Sequence, residues 1–185
     1  MGRRCGYLTL MSGLATGSEK VYLPEHDATL DEIASATSDM VKSFRDGRRL
    51  YLVLRNEAAC GLYSTKLLAD VFAQESHGLY DVRESVIGHV QQGGNPTAFD
   101  RLMATRLVTN AMQVLVDELV AGTARGHYVG LVNGEFRDSP LAHMHDELDL
   151  ANRRPRDQWW LRLEHVIPVV SQDEVAIDKS KLPPL

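Results

Sequence analysis

The chain has 185 residues, 44% of them hydrophobic, with 20 Lys+Arg against 25 Asp+Glu and a formal charge of -5. That length fits one domain or two small lobes, the apolar content suffices for a packed core, and the acidic balance argues against a general nucleic-acid binder. Two cysteines, Cys5 and Cys60, supply neither a disulfide framework nor a four-thiolate zinc site, and no apolar run approaches the roughly 18–20 residues that span a bilayer.

No signal-like apolar block follows Met1-Gly2-Arg3-Arg4-Cys5-Gly6, and Gly6 stands where a myristoylation signal needs Ser or Thr. A reducing, cytoplasmic setting is therefore expected. Residues 5–16 are apolar and small, predicting a buried helix that ends at Gly17. Lys20–Leu23 reads as a short strand before Pro24. Residues 28–45 predict a helix opened by Thr29 or Asp31, carrying Leu30, Ile33, Ala34, Met40, Val41 and Phe44, and closed by Asp46-Gly47. The continuous apolar run Leu50–Leu54 predicts a strand covered on both faces. A helix follows over 63–76, with Leu67, Leu68, Val71 and Phe72 on one side, and then a strand over Ser85–Val90.

The longest predicted helix runs from about Thr97 to Val120, with Leu102, Leu107, Met112, Leu115, Val116 and Leu119 as its apolar side and Gly122 as its stop. Tyr128–Val132 reads as a fourth strand, and helical segments are expected near 139–150 and 157–165. Strands alternating with helices imply an α/β fold with a mostly parallel sheet and helices on its faces. The polar tail after Val170 reads as mobile. The chain opens almost directly into a helix, without the strand that begins a complete α/β domain, so it is expected to be the latter part of something larger.

Chemistry concentrates in Gly88-His89-Val90-Gln91-Gln92-Gly93-Gly94-Asn95-Pro96, a glycine turn ahead of the long helix. Backbone N–H groups in such a turn accept anions, His89 and Gln92 add side-chain donors, and Arg83 adds a guanidinium suited to phosphate. The same pattern also suits a plain strand–turn–helix corner, and Arg83 a surface ion pair. Glu57 follows the 50–54 strand, where its carboxylate could accept from sugar hydroxyls, cap a helix or simply neighbour Arg55.

Met1-Gly2-Arg3-Arg4 sets cations beside a glycine that lets backbone approach a ligand; a solvated terminus fits equally. Arg48-Arg49 and Arg153-Arg154 are basic clusters, each either phosphate-binding or solvated, with Trp159 or Trp160 anchoring the last helix. His143 and His145, two apart, point to different faces of a helix and argue against a shared metal. Neither a G-x-S-x-G nor a Walker A sequence is present, and Cys60 reads as structural.

The segment Val86–Arg101 closely resembles the 6-phosphofructokinase family, as do Met1–Leu8, Leu52–Glu57 and Asp157–Leu161, in the same order and at similar spacing. The resemblance implies a partial, parallel-sheet phosphofructokinase-like fold. Residues 1–92 would form a sugar-phosphate-binding lobe, 93–150 a long helix, strand and helix returning to the other lobe, and 151–185 a C-terminal helix and tail. It also implies a glycolytic kinase that phosphorylates fructose 6-phosphate with ATP to give fructose 1,6-bisphosphate.

The Gln91-Gln92-Gly93-Gly94 form and the Gln158-Trp159-Trp160 tail are similar to the carboxy-terminal half of the duplicated eukaryotic enzyme. In that half the pocket takes the activator fructose 2,6-bisphosphate, where amino-terminal halves take fructose 6-phosphate. By position the implied pocket residues are Met1, Gly2, Arg3, Glu57, Arg83, His89, Val90, Gln91, Gln92 and Arg153, with Arg154 as the alternative to Arg153. The arginine at that last position would reach in from a neighbouring subunit.

Two positions pull in opposite directions. Gln92 stands where catalytic halves carry arginine, which replaces a cation with a neutral donor and favours the regulatory pocket. Arg3 stands where duplicated halves often carry glycine, which favours a substrate pocket. In the family the ATP loops and the T-I-D-type aspartate precede the Met-Gly turn, so this segment alone is expected to be non-catalytic and without cofactor or metal. ATP and Mg²⁺ would bind elsewhere in the full-length enzyme.

The implied partners are the rest of that enzyme and like or unlike subunits; neither nucleic acid nor membrane is expected. A non-enzymatic oligomerisation scaffold is the remaining alternative. Gly17-Ser18-Glu19 and Arg48-Arg49 weakly resemble a nucleotide effector site of bacterial relatives.

Overall fold

The computed structural model describes residues 2–171; Met1 and the expected mobile tail from 172 onward lie outside them. The described residues divide into two compact units, one formed by residues 2–86, Asn152–Arg154 and residues 158–171, the other by Ile87–Ala151 and Pro155–Asp157.

The first unit begins with α1 (Tyr7–Thr16), which ends where Gly17 takes a φ of 66° and returns its N–H to the Gly13 carbonyl. Next come β1 (Lys20–Tyr22), α2 (Leu30–Arg45), β2 (Val53–Arg55) and α3 (Thr65–Glu75). Thr29 opens α2 through a reciprocal box: its hydroxyl accepts from Glu32 N at 3.2 Å, and the Glu32 carboxylate accepts from Thr29 N at 2.8 Å. Ser64 caps α3 by accepting from Leu67 N.

The strands β1 and β2 pair in parallel across α2, with Lys20 opposite Val53, Val21 opposite Leu54 and Tyr22 opposite Arg55. Alternation along β1 feeds two cores. Tyr22 packs with Ile33, Met40, Leu68 and Phe72, whereas Val21 and Leu23 pack with Leu10, Trp160 and Ile167. Trp160 is the anchoring indole; Trp159 stays about half exposed. The expected 157–165 helix is a 3₁₀ segment over Trp159–Val166, followed by one α-turn at Ile167–Val170.

Two expectations for this unit need correction. The strand predicted over Leu50–Leu54 starts only at Val53, and Leu50 is 73% exposed. It is half-buried rather than covered on both faces, because β1 is its only strand neighbour among the described residues.

The second unit holds α4 (Ala98–Val120), capped by a Thr97–Asp100 box, and a hairpin of β3 (His127–Val132) with β4 (Glu135–Pro140). Asn133 and Gly134 form its two-residue turn, both with positive φ (53° and 84°), as a right-twisted hairpin favours. The Tyr128–Val132 strand is therefore antiparallel to a strand the sequence reading lacked, not part of a parallel sheet. Where a helix was expected over 139–150, β4 continues to Pro140, a 3₁₀ turn covers Leu141–His143 and one helical turn spans Met144–Glu147.

The predicted strand over Ser85–Val90 is absent. Val86 is 78% exposed, no strand pairs with the segment, and Gly88 at φ 54° starts a 3₁₀ turn over Gly88–Gln92. The inward face of α4 also differs from the predicted one. Within this unit the covered positions are Met103, Leu107, Asn110, Val114 and Glu118, at helical spacing, whereas Leu102, Met112, Leu115, Val116 and Leu119 are exposed. Apolar residues lie all around this helix, so composition alone does not reveal which face meets the hairpin. Among the described residues no helix is long and apolar enough to cross a membrane.

Candidate functional site

Parallel pairing brings the carboxyl ends of β1 and β2 to the same edge, where α/β proteins place ligands. After β1 comes Glu25, and after β2 come Asn56 and Glu57. The Gly2–Gly6 turn joins both. Gly6 N donates to the two Glu25 oxygens at 2.8 and 3.1 Å, and Asn56 Nδ2 donates to the carbonyls of Gly2 (2.7 Å) and Cys5 (3.2 Å). The tightness explains the glycines: a Cβ on Gly2 would meet Cys5 O at 2.7 Å, and one on Gly6 would meet Glu25 Oε2 at 2.5 Å.

Mounted on that turn, Arg3 Nη2 donates to Glu57 Oε1 at 2.6 Å. Both side chains are largely exposed, at 73% and 63%, so the pair faces water and is open to a ligand. A guanidinium with four further N–H donors beside a carboxylate acceptor can hold a molecule that is anionic at one end and hydroxylated next to it.

Asn56 is the residue the sequence reading passed over. Its side-chain oxygen accepts from Ala58 N at 2.9 Å, and its backbone N donates to Tyr22 O at 3.0 Å, extending the β1–β2 ladder. Only its place between a strand end and Glu57 could have marked it.

The other expected residues are placed as follows. Arg83 is exposed in the first unit and makes no hydrogen bond or ion pair among the described residues. Arg153 is exposed with φ 56°, a left-handed conformation that holds it in a tight turn. Its neighbour Arg154 is turned into the first unit, 3.8 Å from the buried Glu25 carboxylate and donating to Pro24 O at 3.4 Å. Of the two, Arg153 is the one left facing solvent. Met1 lies outside the described residues.

In the second unit His89, Val90, Gln91 and Gln92 occupy the exposed Gly88–Gln92 turn. Three residues per turn set His89 and Gln92 over one another, while Gln91 Nε2 folds back on Gly88 O at 3.0 Å.

Two further ionic clusters are structural. Arg48 pairs with Glu19, which also accepts from Leu52 N at 2.5 Å, so this arginine stitches the β1–β2 entrance together. In the second unit the Glu118 carboxylate accepts from the Thr123 hydroxyl (2.6 Å), Arg125 (2.8 Å) and Arg125 N (3.1 Å), with His127 Nε2 at 3.1 Å. The Thr123 hydroxyl first, then Arg125, hold Glu118 down at about 2, well below the usual carboxylate range. No group of three or more His, Cys, Asp or Glu that could hold a metal ion occurs among the described residues.

Residues 1–115 match the family model described as phosphofructokinase. The chain is 38% identical over 168 residues to the ATP-dependent 6-phosphofructokinase of Dictyostelium discoideum, covering 88% of this chain and 20% of the relative. It is 31% identical over 190 residues to the human muscle-type enzyme, covering 97% of this chain and 24% of the relative. It therefore spans about a fifth to a quarter of the length of the curated relatives it matches. Among solved structures, phosphofructokinase from Saccharomyces cerevisiae superposes with a TM-score of 0.81 at 28% identity, over 90% of this chain and 23% of that one. A second, from Pichia pastoris in the T-state, superposes at 0.74 with 23% identity, a likeness of fold.

Proposed function

The chain belongs to the phosphofructokinase family, and from that premise we propose that it carries a sugar-phosphate pocket of an ATP-dependent 6-phosphofructokinase acting in cytoplasmic glycolysis. The observation that carries this reading is the exposed Arg3–Glu57 pair at the carboxyl edge of β1 and β2. Arg3 binds a phosphate, and Glu57 accepts hydrogen bonds from the ring hydroxyls. Gly2 lets the backbone come close. Arg83 adds a further phosphate donor in this unit, and Arg153 reaches the pocket of a neighbouring subunit. In the second unit His89, Val90, Gln91 and Gln92 are the sugar-phosphate-binding residues of the family pattern. These residues bind and orient the sugar; ATP and Mg²⁺ would be held by other parts of the full-length enzyme.

The preferred ligand is the activator fructose 2,6-bisphosphate, as in a carboxy-terminal half. Gln92 supports this: a neutral amide there withdraws one cation from the phosphate that catalytic halves neutralise with arginine. Arg3 favours the second reading, a substrate pocket for fructose 6-phosphate. Calorimetric titration with each sugar separates them. Tighter binding of the bisphosphate, at least tenfold, supports the activator site; preference for the monophosphate supports the substrate site. Absence of heat with both leaves the scaffold reading and defeats the proposal.

A further inference from the structure

The geometry points to Asn56 as a positioning residue for the sugar-phosphate pocket, acting through Arg3; we infer this on the footing of the function proposed above. Asn56 is almost fully buried, and its carboxamide spans two segments that must be aligned for Arg3 to meet Glu57. On one side Nδ2 reaches the carbonyls of Gly2 and Cys5 at 2.7 and 3.2 Å and the Thr9 hydroxyl at 3.4 Å. On the other, Oδ1 accepts from Ala58 N at 2.9 Å, which fixes the chain just after Glu57. The orientation of the amide is set by these partners, since a flipped group would aim its oxygen at two carbonyls.

Gly2 O is the acceptor at the shortest distance, and Arg3 is the next residue. Two further ties of the turn are weak or distant from Arg3: Cys5 N to Gly2 O spans 3.4 Å, and Gly6 N to Glu25 anchors its far end. Asparagine is thus required by its chemistry. Aspartate has the same shape but would present an anion to two carbonyl oxygens and lose the donor, which frees the turn that carries Arg3.

The test is a double-substitution cycle on the whole chain with fructose 2,6-bisphosphate, read as dissociation constants per folded molecule. Asn56→Asp is expected to weaken binding about tenfold, and Asn56→Asp combined with Arg3→Ala to bind no more than about twofold weaker than Arg3→Ala alone. Asn56→Ala serves for the same cycle if the aspartate variant does not fold. In the unsubstituted chain the Asn56 side-chain amide protons are expected to be protected from solvent exchange and to shift on adding the sugar bisphosphate.

Wild-type binding with an unshifted Asn56 amide, a variant within twofold of wild type, or multiplicative losses in the cycle each overturn the positioning role and leave the pocket standing. Failure of the unsubstituted chain to bind either sugar phosphate overturns the pocket itself.

Discussion

Gly6 and Glu25 meet more closely than any side chain at position 6 would allow: one backbone N–H is shared between both carboxylate oxygens, and a Cβ would sit 2.5 Å from Oε2 and 2.8 Å from Leu23 Cδ2. The φ of Gly6 is -77°, so crowding, not backbone strain, demands glycine. Gly6→Ala is expected to lower unfolding stability by about 1–3 kcal/mol, the usual cost of overpacking. Urea denaturation checks it, and an unchanged midpoint would show that Glu25 moves aside freely.

The Arg3–Glu57 pair should behave in the opposite way. Two side chains this exposed gain little from each other in water, about 0–1 kcal/mol. Arg3→Ala is therefore expected to leave the melting temperature nearly unchanged while abolishing most of the affinity for a sugar phosphate. A parallel loss of stability and binding would assign Arg3 a structural role instead.

Acid should weaken the second unit's Glu118 network. Its folded carboxylate titrates at about 2, below the ordinary value of 4.5, so the stabilisation is complete above about 4.5 and is lost as pH falls towards 2. Protection factors of β3 amides, taken relative to an intrinsic exchange rate that itself slows with acid, should fall between about pH 4.5 and 2. Glu118→Gln, which keeps the shape without the charge, should flatten this dependence.

The capping boxes offer a local test. Thr29→Ala removes the acceptor for Glu32 N and is expected to cost about 1 kcal/mol, with Thr29→Ser retaining most of the stability. Thermal unfolding of the two variants side by side decides it.

The first unit's framework was legible in the sequence because local signals agreed there. Gly17 ends α1, Thr29 opens α2, and the short strand expected at Lys20–Leu23 forms as β1, whose Val21 and Tyr22 enter different cores. Strand–helix alternation, which holds in the first unit, gives way in the second to a hairpin whose local mark is the Asn133-Gly134 turn. The Ser85–Val90 strand fails for a different reason: an apolar run forms a strand only where a ladder partner exists, and Gly88 diverts this one into a turn. Arg3 and Glu57 could be named from family resemblance but their contact could not, since 54 residues separate them in the chain and only parallel pairing brings them together.

The most direct measurement is an amide-resolved titration of the isotopically labelled chain with fructose 2,6-bisphosphate, run beside inorganic phosphate. Saturable shifts are expected at Gly2–Gly6 and at Asn56–Ala58 with the sugar ester, at concentrations where phosphate alone has no effect. Resonances of that edge that stay still, or that respond equally to phosphate, would contradict the sugar-phosphate pocket.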